Sequence, residues 1–228
     1  MADKSEARAK AMRAIQQGLF DRYELIAAQR PADHVDFDHV VMSKLRLVDA
    51  ALDGFSQYEF TVSKEFSNLN DVMHGGAYGV VFGMSGVLRP PGGLLTATDM
   101  ATTSALNPLA RPDFYLYVLE PATLLLSGSH KSSFMGGVTR ILHISYLRGV
   151  SIGTKVLLSS KVVQIGKKMA MIKGEMTSLD GKTVYATAEH HKVNALPNAQ
   201  HLEFRVPWDD EVDADMKREN AKKKAAKL

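Results

Sequence analysis

The sequence predicts an α+β fold, an antiparallel sheet wrapped around one central helix, and three observations predict it. An apolar run, Ala77 to Met84, opens directly from a His-Gly-Gly turn at His74, Gly75 and Gly76. Short segments rich in β-branched and aromatic residues surround it, punctuated by Asp-Gly turns at Asp53-Gly54 and Asp180-Gly181. Ahead of both lies a stretch with helical spacing.

That first stretch, Ser5 to about Gln29, places Ala9, Met12, Ile15, Leu19, Tyr23 and Ile26 on one helical face, and Pro31 follows its end. Asp3, Glu6, Asp21 and Glu24 argue against a mitochondrial presequence and for a helix packed on the domain's edge. Leu45 to Leu52 and Ser56 to Phe66 then read as strands on either side of Asp53-Gly54. The apolar helix follows His74. Strands are expected at Val138 to Leu147, Lys155 to Ile165 and Met169 to Ser178, and the last, Thr183 to Leu196, after Asp180-Gly181. The organisation is an N-terminal helical extension (1–40), a core domain (41–207) and a charged tail (208–228).

Bulk properties narrow the function classes. A chain of 228 residues, 45% hydrophobic and 23% charged, is most simply one globular domain with tails. There are no cysteines, which excludes disulfides, thiolate metal sites and cysteine nucleophiles. No apolar run is long enough to span a bilayer, and the N-terminus lacks the apolar core of a secretory signal. The net charge of +3 is mild, but Asp209, Asp210, Glu211, Asp213 and Asp215 precede Lys217, Arg218, Lys222, Lys223, Lys224 and Lys227. With almost no apolar residue to bury, this block reads as a disordered, solvated tail rather than a nucleic-acid arm. The closing Ala226-Lys227-Leu228 resembles the peroxisomal address, which makes an import receptor an expected partner and the peroxisomal matrix the expected location. A cytoplasmic or mitochondrial location is the alternative.

Asn68, His74 and the glycines at 75 and 76 form a polar cluster at the mouth of the apolar helix. A His-Gly-Gly turn entering a helix aims unpaired backbone N–H groups at one spot, which suits a carbonyl oxygen or an anionic atom. These residues resemble the Asn…His-Gly-Gly signature of the hotdog-fold acyl-CoA thioesterases, the PaaI-like and 4-hydroxybenzoyl-CoA thioesterase superfamily. Downstream, Gly136 to Gly153 looks like that family's second strand and exit loop, Val162 to Ala170 its next hairpin, and Gly181 to His191 its closing strands. The likeness spans roughly Leu45 to Asn194.

The resemblance implies a thioesterase acting on a fatty or aromatic acyl-CoA, with no metal or redox cofactor. It implies that the Gly75 N–H polarises the thioester carbonyl and that Asp99 serves as general base or nucleophile. Asn68 would position the carbonyl or the water, His74 would shape the turn, and Thr139 falls where relatives place a water-orienting hydroxyl. Family sites form between subunits, so a homodimer or dimer of dimers is implied. Arg148, Lys167, Lys168 and Lys192 are cations available to coenzyme A phosphates, or else ordinary surface charges. Each site residue also has a purely structural reading: Asn68 as a turn cap, His74 as a partner for backbone groups, Asp99 as a helix N-cap, Thr139 as a strand threonine. His190 and His191 are adjacent on a strand and face opposite sides, so they cannot chelate as a pair, and His143 reads as structural. No His, Asp and Glu spacing resembles a metal site.

Two stretches depart from the family pattern, at about 83–98 and 118–133. The family acid follows the His by a little over two helical turns, where this chain has Gly83. Removing Gly83 to Thr98 joins Phe82 to Asp99 and restores one apolar helix with the acid at the family's distance. The removed piece contains Pro90-Pro91-Gly92-Gly93, which breaks helices. Both stretches therefore read as translated retained introns or gene-model errors. The competing readings are a genuine insertion, such as a lid over the acyl site, or a new helix starting at Leu94 and carrying Asp99. Two other functions stay open: a hotdog enoyl-CoA hydratase, and a non-catalytic acyl-CoA-binding protein whose site the insertions dismantle.

Overall fold

The computed structural model describes residues 2–31, 33–34, 37–84, 138–165, 169–193 and 203–225. The N-terminal stretch is helical as expected but interrupted. Helix α1 (Ala2–Ile15) passes through a π-helical turn, Gln16–Asp21, into α2 (Arg22–Ala27). The Gln16 amide donates to the Asp21 carboxylate at 2.9 Å, five residues on, the span a π turn brings together. Helix α3 (Phe37–Met42) follows, then strands β1 (Arg46–Ala51) and β2 (Phe55–Thr61) and a 3-10 turn, Lys64–Phe66, where the sequence suggested continued strand. The central helix α4 (Gly75–Met84) comes next. The remaining strands are β3 (Val138–Tyr146), β4 (Lys155–Ile165), β5 (Met169–Ser178) and β6 (Val184–Val193).

The strands form a six-stranded antiparallel sheet in the order β1-β2-β4-β5-β6-β3. Burial alternates along them as a pleat demands. Tyr58 and Phe60 of β2, Val156 and Leu158 of β4, Met176 of β5, and Ala186 and Ala188 of β6 are buried in one cluster with Tyr78, Val81 and Phe82 of α4. Gly174 is required by this packing: a Cβ there would sit 2.8 Å from Phe82 Cδ1. The alternate residues, among them Lys161, Lys173, Glu175, Thr187 and Glu189, line an open groove of about 620 Å³ on the other face. Strand β3 is an edge strand and its side chains are largely exposed.

The charged C-terminal stretch corrects the expectation of a disordered tail. It folds as helix α5 (Pro207–Ala225). Proline fits the first helical position, and Asp209 and Asp210 in the first turn complement the helix dipole. Two apolar residues one turn apart suffice to anchor it: Trp208 and Val212 are both fully buried. Asp209 accepts the Val206 N–H at 2.9 Å and pairs with Arg22, both side chains being buried. Lys10–Asp215 at 2.7 Å and Arg13–Glu211 at 3.6 Å continue the seam between α1 and α5. Among the described residues no helix is long and apolar enough to cross a membrane.

Candidate functional site

The approach to α4 is held almost entirely by backbone hydrogen bonds. Asn68 N–H donates to Val72 O at 2.9 Å and Asp71 N–H to Asn68 O at 3.1 Å, closing a tight turn. The Asn68 side-chain oxygen accepts the Asn70 N–H at 2.9 Å, an Asx turn. Asp71 takes the left-handed conformation (φ 54°) that the turn needs. Met73 N–H donates to Val150 O at 2.8 Å and Ile152 N–H to Asp71 O at 3.0 Å, which ties the turn to the exit loop of β3. His74 N–H donates to Phe66 O at 2.7 Å, and the chain then enters the helix.

At the helix start the polar groups divide. Ala77 N–H donates to His74 O at 2.9 Å. Gly76 N–H donates to His74 Nδ1 at 2.9 Å, so this ring nitrogen is unprotonated and the proton of a neutral His74 sits on Nε2. The Gly75 N–H takes part in neither bond. His74 itself is exposed. The turn therefore offers one main-chain donor at the positive end of α4, with an imidazole N–H beside it.

Tyr146, at the C-terminal end of β3, completes this corner and was not singled out by the sequence reading. Its hydroxyl donates to Gly75 O at 3.0 Å, and its ring meets Tyr78 edge-to-face with centroids 5.3 Å apart. Burial, with the neighbouring Tyr146 and Tyr185 phenols, pushes the Tyr78 hydroxyl above its ordinary pKa. Tyr78, Val81 and Phe82 face the core, where they pack against the sheet.

Thr139 lies at the other end of β3. Seven residue steps separate it from Tyr146, roughly 23 Å of strand. One chain thus does not bring Thr139 to the Asn68–Gly75 turn. Instead its hydroxyl shares a hydrogen bond of 2.8 Å with His190 Nε2. His190 is 3% exposed, and burial, reinforced by the charges of Lys192 and His191, drives its pKa down to about 3. It is a neutral imidazole on the helix-facing side of β6, continuing the buried series Ala186 and Ala188. That parity is the available signal: His190 and His191 face opposite sides of the strand, and the buried series Ala186 and Ala188 marks the side of His190 as the inner one. His191 faces the other way and bonds Glu189 at 2.8 Å.

Lys192 shares the buried side and is only 2% exposed, so it is not the surface cation expected for a coenzyme A phosphate. Arg148 is exposed. Lys167 and Lys168, Asp99, the tripeptide Ala226-Lys227-Leu228, the 118–133 stretch and all of the 83–98 stretch beyond Met84 lie outside the described residues. Among the described residues no group of three His, Asp or Glu is placed to hold a metal.

Comparison with known proteins finds likeness to one family over part of the chain. The thioesterase superfamily model matches residues 91–185, a span that contains Asp99 and Thr139 but begins downstream of the His-Gly-Gly turn. No curated protein matches the chain. Among solved structures, it is similar to zebra fish thioesterase superfamily member 2, with 20% identity, 72% of this chain and 90% of that one covered, and a TM-score of 0.43. It is also similar to the E. coli PaaI protein from the phenylacetic acid degradation operon, with 13% identity, 85% and 99% covered, and a TM-score of 0.46. A third likeness is to a hypothetical thioesterase from Streptococcus pneumoniae solved with coenzyme A, with 13% identity, 71% and 94% covered, and a TM-score of 0.46. The stretch 91–185 is thus similar to the thioesterase superfamily, in a chain that sets the helix α4 against an antiparallel sheet.

Proposed function

We propose that this protein hydrolyses acyl-CoA thioesters to a free acid and coenzyme A. One observation carries the reading: the turn before α4 leaves the Gly75 N–H aimed out of the helix start while its neighbours' hydrogen bonds are already made. A thioester carbonyl seated there gains a hydrogen bond that strengthens as negative charge develops on oxygen. Water adds to the carbonyl carbon, a carboxylate takes its proton, the C–S bond breaks, and the departing thiolate is protonated. The family resemblance assigns the carboxylate to Asp99.

The site is complete only in a dimer. Among the described residues β3 ends the sheet with an open edge, and Val138, Ile141, Tyr146 and, just beyond it, Leu147 are exposed there. An unpaired edge of this kind templates antiparallel pairing with another copy. Such pairing about a two-fold axis runs the Thr139 end of one β3 toward the Tyr146 end of its partner.

The test is coenzyme A release from a panel of fatty and aromatic acyl-CoAs, by the full chain and by a version lacking Gly83 to Thr98. Equimolar acid and coenzyme A support the reading. Binding without release indicates a non-catalytic acyl-CoA-binding protein, and hydration of an enoyl-CoA indicates a hydratase. Turnover only by the shortened protein keeps the assignment and marks the 83–98 stretch as foreign to the enzyme. For the dimer, Ile141→Lys places a charge on the exposed edge; the expected result is a halved sedimentation mass and lost turnover. A monomeric wild type removes the shared-site reading.

A further inference from the structure

Two adjacent glycines at a catalytic backbone donor are a liability, because neither has a Cβ to restrict rotation. The hydrogen bonds here answer that liability one peptide at a time. The His74–Gly75 peptide carries the donor N–H, and its carbonyl accepts Ala77 N–H at 2.9 Å. The following Gly75–Gly76 peptide is gripped at both ends: its N–H by His74 Nδ1 at 2.9 Å, and its carbonyl by the Tyr146 hydroxyl at 3.0 Å.

We propose that Tyr146 is a positioning residue whose hydroxyl, working with the His74 ring, fixes the Gly75–Gly76 peptide and so holds the Gly75 N–H in register for the thioester oxygen. The proposal rests on the thioesterase reading. In the single chain the bond is not forced by desolvation, since Tyr146 is 56% exposed there and water could satisfy its hydroxyl. The ring is instead set by its edge-to-face contact with Tyr78, and it stands 3.7 Å from where a Gly75 Cβ would be. The side chain comes from the edge strand and reaches the first turn of the central helix, so the clamp spans two elements. A donor fixed before substrate arrives costs no reorganisation when charge develops.

The experiment is Tyr146→Phe in the full chain, which keeps the ring and its contact with Tyr78 and removes only the hydroxyl. Amide order parameters at Gly75 and Gly76 should fall from the rigid level of about 0.85 toward about 0.6. In the same variant kcat for the best acyl-CoA should drop about tenfold, with KM and thermal midpoint unchanged. A merely structural tyrosine would lower the midpoint and leave the kcat of the folded protein intact, and that result overturns the proposal. Unchanged order parameters overturn it as well. If the wild type releases no coenzyme A from any thioester, the functional reading fails by itself, and the order parameters still decide whether the clamp exists.

Discussion

The two ends of β3 handle polar groups in opposite ways. At the Tyr146 end, the donors are main-chain N–H groups at an exposed turn, and the side chains of His74 and Tyr146 serve to hold the backbone. At the Thr139 end, the polar groups are side chains, and Thr139, His190 and Lys192 cluster on or beside the buried face of the sheet. An exposed backbone donor contributes little to stability, because water satisfies it when substrate is absent. A buried imidazole contributes through its partner, and losing that partner leaves a desolvated nitrogen unpaired. Substitutions at the first end should therefore change catalysis, and substitutions at the second should change stability first.

The sharpest break of that contrast is Gly75→Pro. Proline is accepted at the first position of a helix, where it removes the N–H and adds a ring whose Cβ makes only an ordinary 3.7 Å contact with Tyr146. Loss of one oxyanion donor should cut kcat by roughly 10²–10³-fold, with a thermal midpoint within a few degrees of wild type. A fully active Gly75→Pro enzyme would move the oxyanion site away from this turn. At the other end, Thr139→Val keeps shape and strand preference but takes the hydroxyl from His190 Nε2. The expected loss is about 1–3 kcal/mol of unfolding free energy in a urea titration. A neutral result would mean that His190 finds a second partner at once.

The same cluster sets an acid sensitivity with a definite sign. The folded His190 pKa is driven down to about 3 from an ordinary value of 6.5, so between those values the unfolded chain binds the extra proton. Its contribution is whole above pH 6.5 and is lost as pH falls toward 3, with a slope approaching about 1.4 kcal/mol per pH unit. Subtracting the stability profile of His190→Gln from that of wild type should isolate this slope. A flat difference across pH 4 to 6 would show that His190 is not desolvated as the structure places it.

What the sequence disclosed follows the same division. The turn at Asn68 to Gly76 was legible because its chemistry is local: an Asn, a His and two glycines at fixed spacing beside an apolar run. The strands were legible because pleating imposes a two-residue period; apart from Ser56 to Phe66, which gives way to a 3-10 turn after Thr61, their ends fall within three residues of expectation. The inner-face cluster was not, because it depends on which alternate residue faces inward, and His190 and Lys192 look like surface residues until β6 is set against α4. Tyr146 was missed for a related reason, since its partner is a carbonyl 71 residues away. Helix α5 was misread because its charges outnumber Trp208 and Val212, yet burying those two side chains, with the Arg22–Asp209 pair, is what anchors it.

The smallest effect separates the two readings of Asn68. Its side-chain oxygen accepts the Asn70 N–H, a bond that any acceptor of the same shape can make. Asn68→Asp keeps the acceptor and removes the amide N–H₂, so the turn should lose no more than about 0.5 kcal/mol. If Asn68 only builds the turn, kcat/KM stays within a factor of about two of wild type. If the amide also donates to the thioester carbonyl or the water, kcat/KM falls by about tenfold or more while the thermal midpoint holds. The second outcome would place a side-chain donor beside the Gly75 N–H. The exposed end of β3 would then use a side chain for chemistry as well as for support.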